Sequence, residues 1–326
     1  MRVILDTNII VNNYYFNTPK FIGLLGYSKK TRSKVTIPDY VFQEVLKKYK
    51  EELEKYAEKE ERDNRVLFNK NEKIDILSLV KKYELFLLKL LSDKKITIPT
   101  SKNVSSKKVF ARALKSLPPF DSAGRGLRDT LIWLSIVDIV KSNPKEYFCF
   151  ISSNSKDFGQ KNLLPQLIED LGKDISRLIY FNSLEEFLSS YGDQISFIDD
   201  NLFNEFFNKK DKFLLSLIDI DKISSSEIED IPRYYDIEAV EDFSINNIDI
   251  QDFYVYNSNQ KYYKVEVELI VNLDLDVAVY LRDEDYDSIT NKHGFSWCSI
   301  DFSLLINKET KEIEIDKDII PAVYYP

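Results

Sequence analysis

Short apolar runs that end in polar residues recur through the first 190 residues and constrain the fold more than any other feature. The run Val3–Leu5 ends at Asp6, and the run Tyr147–Ser152 ends in a polar segment. Runs without alternation are typical of strands buried on both faces, as in a parallel sheet. Further strands are predicted at Lys34–Pro38 and Arg177–Phe181. Because amphipathic segments separate the runs, the sequence predicts an α/β domain with a mainly parallel central sheet.

Three longer segments with apolar residues at helical spacing lie between these strands. The first begins after Pro38, runs from about Asp39 past Tyr56, and continues as an almost wholly charged segment. The second covers Ile74–Leu91. The third covers Arg128–Lys141, and its apolar face is wide enough to predict a buried helix. Shorter helices are predicted near residues 109–117, 162–171 and 183–191.

The pattern changes after about residue 200. Residues 201–220 are predicted to be helical, and residues 221–242 are acidic and weakly patterned. From Ser244 onward apolar and polar residues alternate in short runs, as in Tyr263–Val271, which predicts half-buried strands. The segment Asn257–Gln260 between two such runs indicates a hairpin. The predicted organisation is an α/β domain over residues 1–195 with a helical insertion at about 50–125, a helical and acidic linker over 196–243, and a smaller antiparallel β domain over 244–326.

The net charge of −9 hides a difference between two parts of the chain. Residues 1–190 contain 33 Lys and Arg against 24 Asp and Glu, a net charge of +9, whereas residues 191–326 contain 12 against 30, a net charge of −18. The densest basic segment, residues 94–128, has nine bases and one acid, Asp121. Such an asymmetry favours contact between the basic part and a nucleic acid, with a solvated surface as the plainer alternative.

Composition excludes several kinds of site. One histidine, His293, and two distant cysteines, Cys149 and Cys298, cannot supply the ligand cluster of a typical zinc site. Neither of the common glycine-rich phosphate-binding motifs occurs. The apolar runs are too short for a membrane span or a signal peptide, so we expect a soluble cytoplasmic protein in a reducing compartment.

Four carboxylates are expected at one edge of the predicted sheet. Ligands of open α/β sheets bind outside the carboxyl ends of the strands, where Asp6 and Asp157 follow two strands. Glu44 lies about two turns into the first long helix, and Asp129 lies in the first turn of the buried helix. With no His or Cys beside them, these oxygens favour Mg²⁺ or Mn²⁺ over Zn²⁺. Each acid alone has a plainer interpretation, as a helix cap, a turn residue or a solvent-facing side chain.

The segments that carry these acids resemble those of the PIN-domain nucleases. They are Leu5–Asn8 after the first strand, Ile37–Pro38 leading to Glu44 in Val41–Val45, Arg128–Trp133 at the start of the buried helix, and Ser152–Phe158 after a strand. Their order, placement and spacing agree over about residues 1–190. The resemblance implies a three-layer α/β/α fold and a metal-dependent endoribonuclease. In that enzyme Asp6, Glu44, Asp129 and Asp157 would be catalytic and would hold one or two Mg²⁺ or Mn²⁺ ions.

The resemblance also implies supporting roles and partners. Thr7 and Asn8 would orient Asp6 or a metal-bound water, and Ser153 or Asn154 would do the same for the phosphate. Many members carry a further acid near the position of Asn154, so this chain departs from the family pattern there. The family includes toxins of toxin–antitoxin pairs, RNA-processing enzymes and nucleases of structured DNA. The expected partners are therefore RNA, or DNA, and a protein such as an antitoxin, with a phage-defence role and a homo-oligomer left open.

Bases near the start of the buried helix are expected to bind the phosphate backbone of a nucleic acid. They are Lys107, Lys108, Arg112, Lys115, Arg125 and Arg128. The segment Gly124–Gly126 is predicted to be a flexible loop that could close over a nucleic-acid strand. Trp133 and Phe158 are expected in the core rather than stacked on a base.

Two further functions stay open. The chain could be a nucleic-acid-binding or sensing protein with an inactive cleft and the β domain as its interaction module, or, less well supported, a phosphatase acting on a small molecule. The acidic β domain itself has three interpretations: a mimic of nucleic acid that covers the basic face, a docking module, or an ordinary solvated surface.

Overall fold

The strands predicted from the apolar runs come together as one parallel sheet in the computed structural model, within the unit Met1–Gln194. The structure describes the chain except residues 69–72, 94, 102, 122, 233–234, 258–259 and 283–286, and of residues 63–68, 257, 281–282 and 287–288 it describes the backbone alone. Part of the predicted hairpin and the bases Lys94 and Lys102 therefore lie outside the described residues. In the part of the chain that is described, no helix is both long and apolar enough to cross a membrane.

Strands and helices alternate through this first unit. In chain order they are β1 (Arg2–Leu5), α1 (Thr7–Val11), α2 (Pro19–Thr31), β2 (Lys34–Thr36), α3 (Asp39–Phe68), α4 (Ile76–Ser92), β3 (Ile96–Thr97), α5 (Ser106–Leu114), α6 (Leu127–Ser142), β4 (Phe148–Ile151), α7 (Ser155–Phe158), α8 (Pro165–Leu171), β5 (Leu178–Phe181) and α9 (Leu184–Phe187). The sheet order is β3-β2-β1-β4-β5, with every pair parallel. The predicted α/β fold class is therefore confirmed.

Burial explains why β4 and the last three residues of β1 are apolar. Val3, Ile4 and Leu5 are 0% exposed, and the four residues of β4 are equally buried because helices cover both faces of the sheet. Helix α2 was not predicted; its one local signal is Pro19 in the first turn, which suits a helix start.

The second unit, Ile195–Pro326, is built on an antiparallel sheet, as predicted. Its elements are α10 (Asp200–Phe207), α11 (Asp211–Leu215), β6 (Asp236–Asn257), β7 (Tyr262–Arg282), β8 (Asp287–Asn307), β9 (Ile313–Ile315) and β10 (Ala322–Tyr324). The sheet order is β10-β8-β7-β6, and β9 pairs with β8. One face is buried, since Leu269, Val271 and Leu273 of β7 are at most 1% exposed, and Phe203 of α10 contacts Phe253 of β6 with ring centroids 5.0 Å apart.

The strands of this unit differ from the predicted short runs. Strands β6, β7 and β8 have 22, 21 and 21 residues, and β6 begins at Asp236, inside the segment predicted as linker. Register shifts interrupt the pairing of β6 with β7, for example between Ile237 and Ala239 and between Val240 and Asp242. Each bulge shifts the alternation by one residue, so a single long strand looks like several short ones in the sequence.

Close backbone packing fixes the start of α6. Gly126 precedes the helix with φ of 108°, and a Cβ at this position would lie 2.1 Å from the Pro119 carbonyl oxygen. Gly124 also has positive φ, 75°, but a Cβ there would meet nothing within 4 Å. Glycine is therefore required at 126 for two reasons, backbone conformation and space, and at 124 for one.

We expect Gly126→Ala to destabilise the first unit more than Gly124→Ala. A positive φ costs a non-glycine residue about 1–3 kcal/mol, and Gly126→Ala adds an overpacking cost of about 1–3 kcal/mol. Urea unfolding followed by Trp133 fluorescence in a Trp297→Phe background measures this, because the two tryptophans lie in different units. Equal losses for the two variants would contradict the packing argument.

Candidate active site

The pairing of β1 with β4 places Asp6 beside Ser152. Leu5 pairs with Ile151, and the Asp6 backbone N–H donates to the Ile151 carbonyl at 3.0 Å. The Asp6 carboxylate caps α1 by accepting from the Thr7 N–H at 2.7 Å. Its second oxygen, Oδ2, accepts from Ser152 Oγ at 2.6 Å and from Asn8 Nδ2 at 2.8 Å. Asp6 is thus an acid that is 2% exposed and held by three donors.

Burial changes the protonation of Asp6. Burial is the largest cause and raises its pKa from 3.8 to about 7, against the lowering effect of the hydrogen bonds from Ser152 and Thr7. The nearby carboxylates Asp129 and Glu44 raise the pKa further. A cation beside Asp6 would favour its charged form, so the site holds a carboxylate that the chain alone does not fully stabilise.

Glu44 connects three elements of the site. Thr7 Oγ1, at the start of α1, donates to Glu44 Oε2 at 2.8 Å. Arg128 Nη1, at the start of α6, donates to Glu44 Oε1 at 2.9 Å. The Glu44 side chain is 12% exposed, whereas that of Arg128 is 64% exposed. The ion pair therefore joins a nearly buried carboxylate to a guanidinium that solvent reaches.

Asp129 and Asp157 are joined by one amide. Asn154 Nδ2 donates to Asp129 Oδ1 at 3.1 Å and to Asp157 Oδ2 at 2.7 Å. Asn154 Oδ1 caps α7 by accepting from the Asp157 N–H at 3.4 Å. Burial raises the pKa of Asp129, and the charges of Asp157 and Glu44 raise it further. The like charges are therefore close enough to repel one another.

These four acids offer oxygen donors whose mutual repulsion fits a hard cation. Among the described residues, no group of three or more His, Cys, Asp or Glu is placed to hold a metal ion. Mg²⁺ usually keeps several waters and binds through one or two carboxylates. The donors at this site suit that kind of binding, in which some acids act through water.

Two residues of the site were missed by the sequence analysis. Ser152, which donates to Asp6, also accepts from the Asn154 backbone N–H at 3.1 Å. The Tyr180 hydroxyl of β5 shares its one proton between the Ser152 and Gly159 carbonyls, both at 3.0 Å, and so connects the two ends of the segment that carries Asn154. The position of Ser152 directly after β4 was a usable signal. Tyr180 carried none, because its role depends on the pairing of β4 with β5.

The remaining supporting residues contact the same network. Asn8 Oδ1 accepts from the Ser153 backbone N–H at 3.1 Å, so Asn8 joins the ends of β1 and β4. The Ser153 side chain is exposed. The roles predicted for Thr7, Asn8 and Ser153 stay predictions, and the structure adds the hydrogen bonds by which Thr7 and Asn8 hold Glu44 and Asp6.

The prediction that Arg112 binds phosphate is wrong. Arg112 is 6% exposed, its Nη1 lies 2.7 Å from Asp170 Oδ2, and its Nε donates to the Pro118 carbonyl at 2.6 Å. The same Asp170 oxygen accepts from Trp133 Nε1 at 2.7 Å. Arg112 is therefore the buried member of an ion pair with the partly exposed Asp170, and its guanidinium is unavailable to a nucleic acid.

The other predicted phosphate-binding residues are exposed to solvent. Lys107, Lys108 and Lys115 lie on or directly after α5, and Lys108 Nζ donates to the Asn103 carbonyl at 3.1 Å. Arg125 donates from Nε to Asp121 Oδ2 at 2.8 Å. Asp121 also accepts from the Arg125 backbone N–H at 2.9 Å, so these bonds hold the loop that was predicted to be flexible.

A comparison with protein families adds to this geometry. A family model described as PIN domain matches residues 3–158, the segment that contains all four acids, and it confirms the resemblance. No curated protein and no solved structure is significantly similar to the chain.

We expect the stability of the metal-free protein to fall as pH rises from about 4 to about 7. The folded state keeps a proton on Asp6 up to about pH 7, whereas the unfolded chain releases it near pH 3.8. The contribution of Asp6 to the free energy of unfolding is therefore full below pH 3.8 and is lost as the pH rises to about 7. Asp6→Asn should flatten the dependence of stability on pH and, at pH 8, stabilise the first unit by at most about 4 kcal/mol, at ~1.4 kcal/mol per pKa unit.

Unfolding in EDTA between pH 4 and pH 8 measures the effect. The exposed Asp93→Asn is the control, and an unchanged slope in Asp6→Asn would contradict the burial of its charge.

We expect Arg112→Ala to cost about 1–3 kcal/mol of unfolding free energy, because it leaves the partly exposed Asp170 and the Pro118 carbonyl without their partner. The exposed Lys108→Ala should change stability by less than about 0.5 kcal/mol. Urea unfolding of both variants separates the two roles. A stable Arg112→Ala protein with weakened nucleic-acid binding would restore the original prediction.

Proposed function

Residues 3–158 of this chain belong to the PIN-domain family, whose members are generally metal-dependent nucleases, and on this premise we propose that the protein is a divalent-metal-dependent endoribonuclease. One observation supports the proposal most strongly. Asp6, Glu44, Asp129 and Asp157 meet at the carboxyl ends of β1 and β4, close enough for the charges of Glu44 and Asp129 to raise the pKa of Asp6.

The four acids would hold Mg²⁺ or Mn²⁺, directly or through water. Such a cation, when bound, supplies hydroxide near neutral pH and offsets charge on a phosphodiester. The chain's own part is to keep the acids in place. Thr7 and Arg128 hold Glu44, while Ser152 and Asn8 hold Asp6 in its buried position.

Basic residues near the start of α6 would bind the substrate. Arg128 precedes Asp129 and exposes its guanidinium, so it is placed to pair with a phosphate next to the bond that is cut. Lys107, Lys108 and Lys115 would add contacts that raise affinity without reading sequence. RNA is proposed ahead of DNA because the resemblance implies an endoribonuclease.

A role as a toxin or phage-defence effector belongs to the same proposal. A toxin would require a protein partner, such as an antitoxin, that holds its activity in check. The second unit, which contains most of the acidic residues, is the part of the chain that we propose for such protein contacts.

A second function has one observation in its favour. Asn154 stands where many family members carry an acid, and it donates to two of the four carboxylates. A site with a neutral amide there would favour a nucleic-acid-binding or sensing protein that cleaves weakly or not at all. Cleavage assays separate this function from the first.

We expect the protein to cleave labelled single-stranded RNA with Mn²⁺ and not with EDTA. Asp129→Asn should lower the rate by at least ~100-fold, since altering even the partners of metal ligands costs 10–100-fold. Asp138→Asn, on the same helix but away from the site, is the matched control. RNA and DNA, single- and double-stranded, are compared in parallel.

Two outcomes would count against this site. Cleavage that survives both EDTA and Asp129→Asn would mean that the four acids are not the catalytic centre. Tight, salt-sensitive binding without cleavage would favour the second function.

A further inference from the structure

The amide of Asn154 occupies the space between two acids of the proposed metal site. One nitrogen, Nδ2, donates to both Asp129 and Asp157, at 3.1 and 2.7 Å. We propose that Asn154 is a positioning residue that sets the affinity of this site for divalent cations, because its amide and a cation compete for the same two carboxylates. This inference rests on the proposed function and concerns how the metal-free site is held.

The orientation of the amide is fixed by bonds on its other side. Asn154 Oδ1 accepts from the Asp157 N–H at 3.4 Å, which caps α7. The Asn154 backbone N–H donates to Ser152 Oγ at 3.1 Å, and that hydroxyl donates to Asp6 Oδ2 at 2.6 Å. Because Oδ1 is committed to the cap, the two N–H donors point at the acids. A chain of hydrogen bonds therefore runs from Asp6 through Ser152 to Asn154.

The amide relieves part of the repulsion that a cation would relieve. An Asn side chain supplies two N–H donors, and hydrogen bonds to charged acceptors are stronger than those to neutral ones. The relief is incomplete, because the charge of Asp157 still raises the pKa of Asp129. A cation that binds the same oxygens as the amide, Asp129 Oδ1 and Asp157 Oδ2, must displace these N–H bonds or turn the amide so that its own Oδ1 faces the cation, which breaks the cap. Either route lowers the net gain from cation binding.

Two substitutions test the competition while keeping an acceptor that can cap α7. Asn154→Asp replaces the amide donors by a third carboxylate. Asn154→Ser removes the two amide donors and leaves one hydroxyl on a shorter side chain, without adding charge; Asp and Ser are both good helix caps. Asn162→Asp is the control, since it adds the same charge at an exposed position outside the network.

The measurement is Mn²⁺ binding to the full chain without nucleic acid, by calorimetry and by electron paramagnetic resonance of free Mn²⁺. We expect Asn154→Asp to tighten binding by about tenfold, as added ligand charge does in cation sites. Asn154→Ser should tighten it by a smaller factor. With EDTA both variants should melt below the wild type, and Mn²⁺ should raise their melting temperatures by more than it raises that of the wild type.

The outcomes separate this inference from the proposed function. If the wild type binds Mn²⁺ and folded Asn154→Asp and Asn154→Ser bind it no more tightly, the competition is refuted while the nuclease proposal stands. If neither the wild type nor Asn154→Asp binds Mn²⁺, the proposed function fails and this inference fails with it. Should Asn154→Asp not fold, tighter binding by Asn154→Ser supports the inference, and unchanged or weaker binding overturns it.

Discussion

The parallel pairing of β1 with β4 is the constraint on which the site depends. It sets Leu5 beside Ile151, so the first residues after the two strands, Asp6 and Ser152, become neighbours although they are far apart in the chain. The pairing is enforced by burial of both strands on both faces, because sliding one strand along the other would move apolar side chains out of the core. The same apolar residues that form the core therefore also determine where the first carboxylate lies.

Around that point the chain collects more negative charge than it neutralises. Arg128 pairs with Glu44, and the amide of Asn154 serves Asp129 and Asp157, but burial still raises the pKa values of Asp6 and Asp129. Such an arrangement costs stability in the isolated protein. The cost is intelligible if the site is built to receive positive charge, since a cation would stabilise the ionised forms that the fold alone disfavours.

Much of the fold could be predicted because it depends on the spacing of apolar and polar residues within short segments. The central strands β1 and β4 followed from uninterrupted apolar runs. The candidate acids followed from their positions after strands, in the first turn of a helix, or, for Glu44, about two turns into one. The failures share a cause, which is dependence on tertiary contacts. Arg112 has the sequence neighbours of a surface base, but Asp170 and Pro118 bury it. The bulges of β6 and the hydroxyl bonds of Tyr180 depend on strand pairing, which local spacing does not report.

Net charge is informative about a chain like this one when it is taken unit by unit. The value of −9 for the whole chain would argue against a nucleic-acid partner, whereas residues 1–190 alone carry +9. Within this basic part, Arg112 is buried and cannot reach a phosphate. The exposed bases are the lysines on α5 and Arg128, and Arg128 is the residue next to Asp129. The acids that would hold a cation lie close to Arg128, whose exposed guanidinium could hold a phosphate. That juxtaposition, rather than the total charge, is the physical reason to expect phosphodiester chemistry at the edge of this sheet.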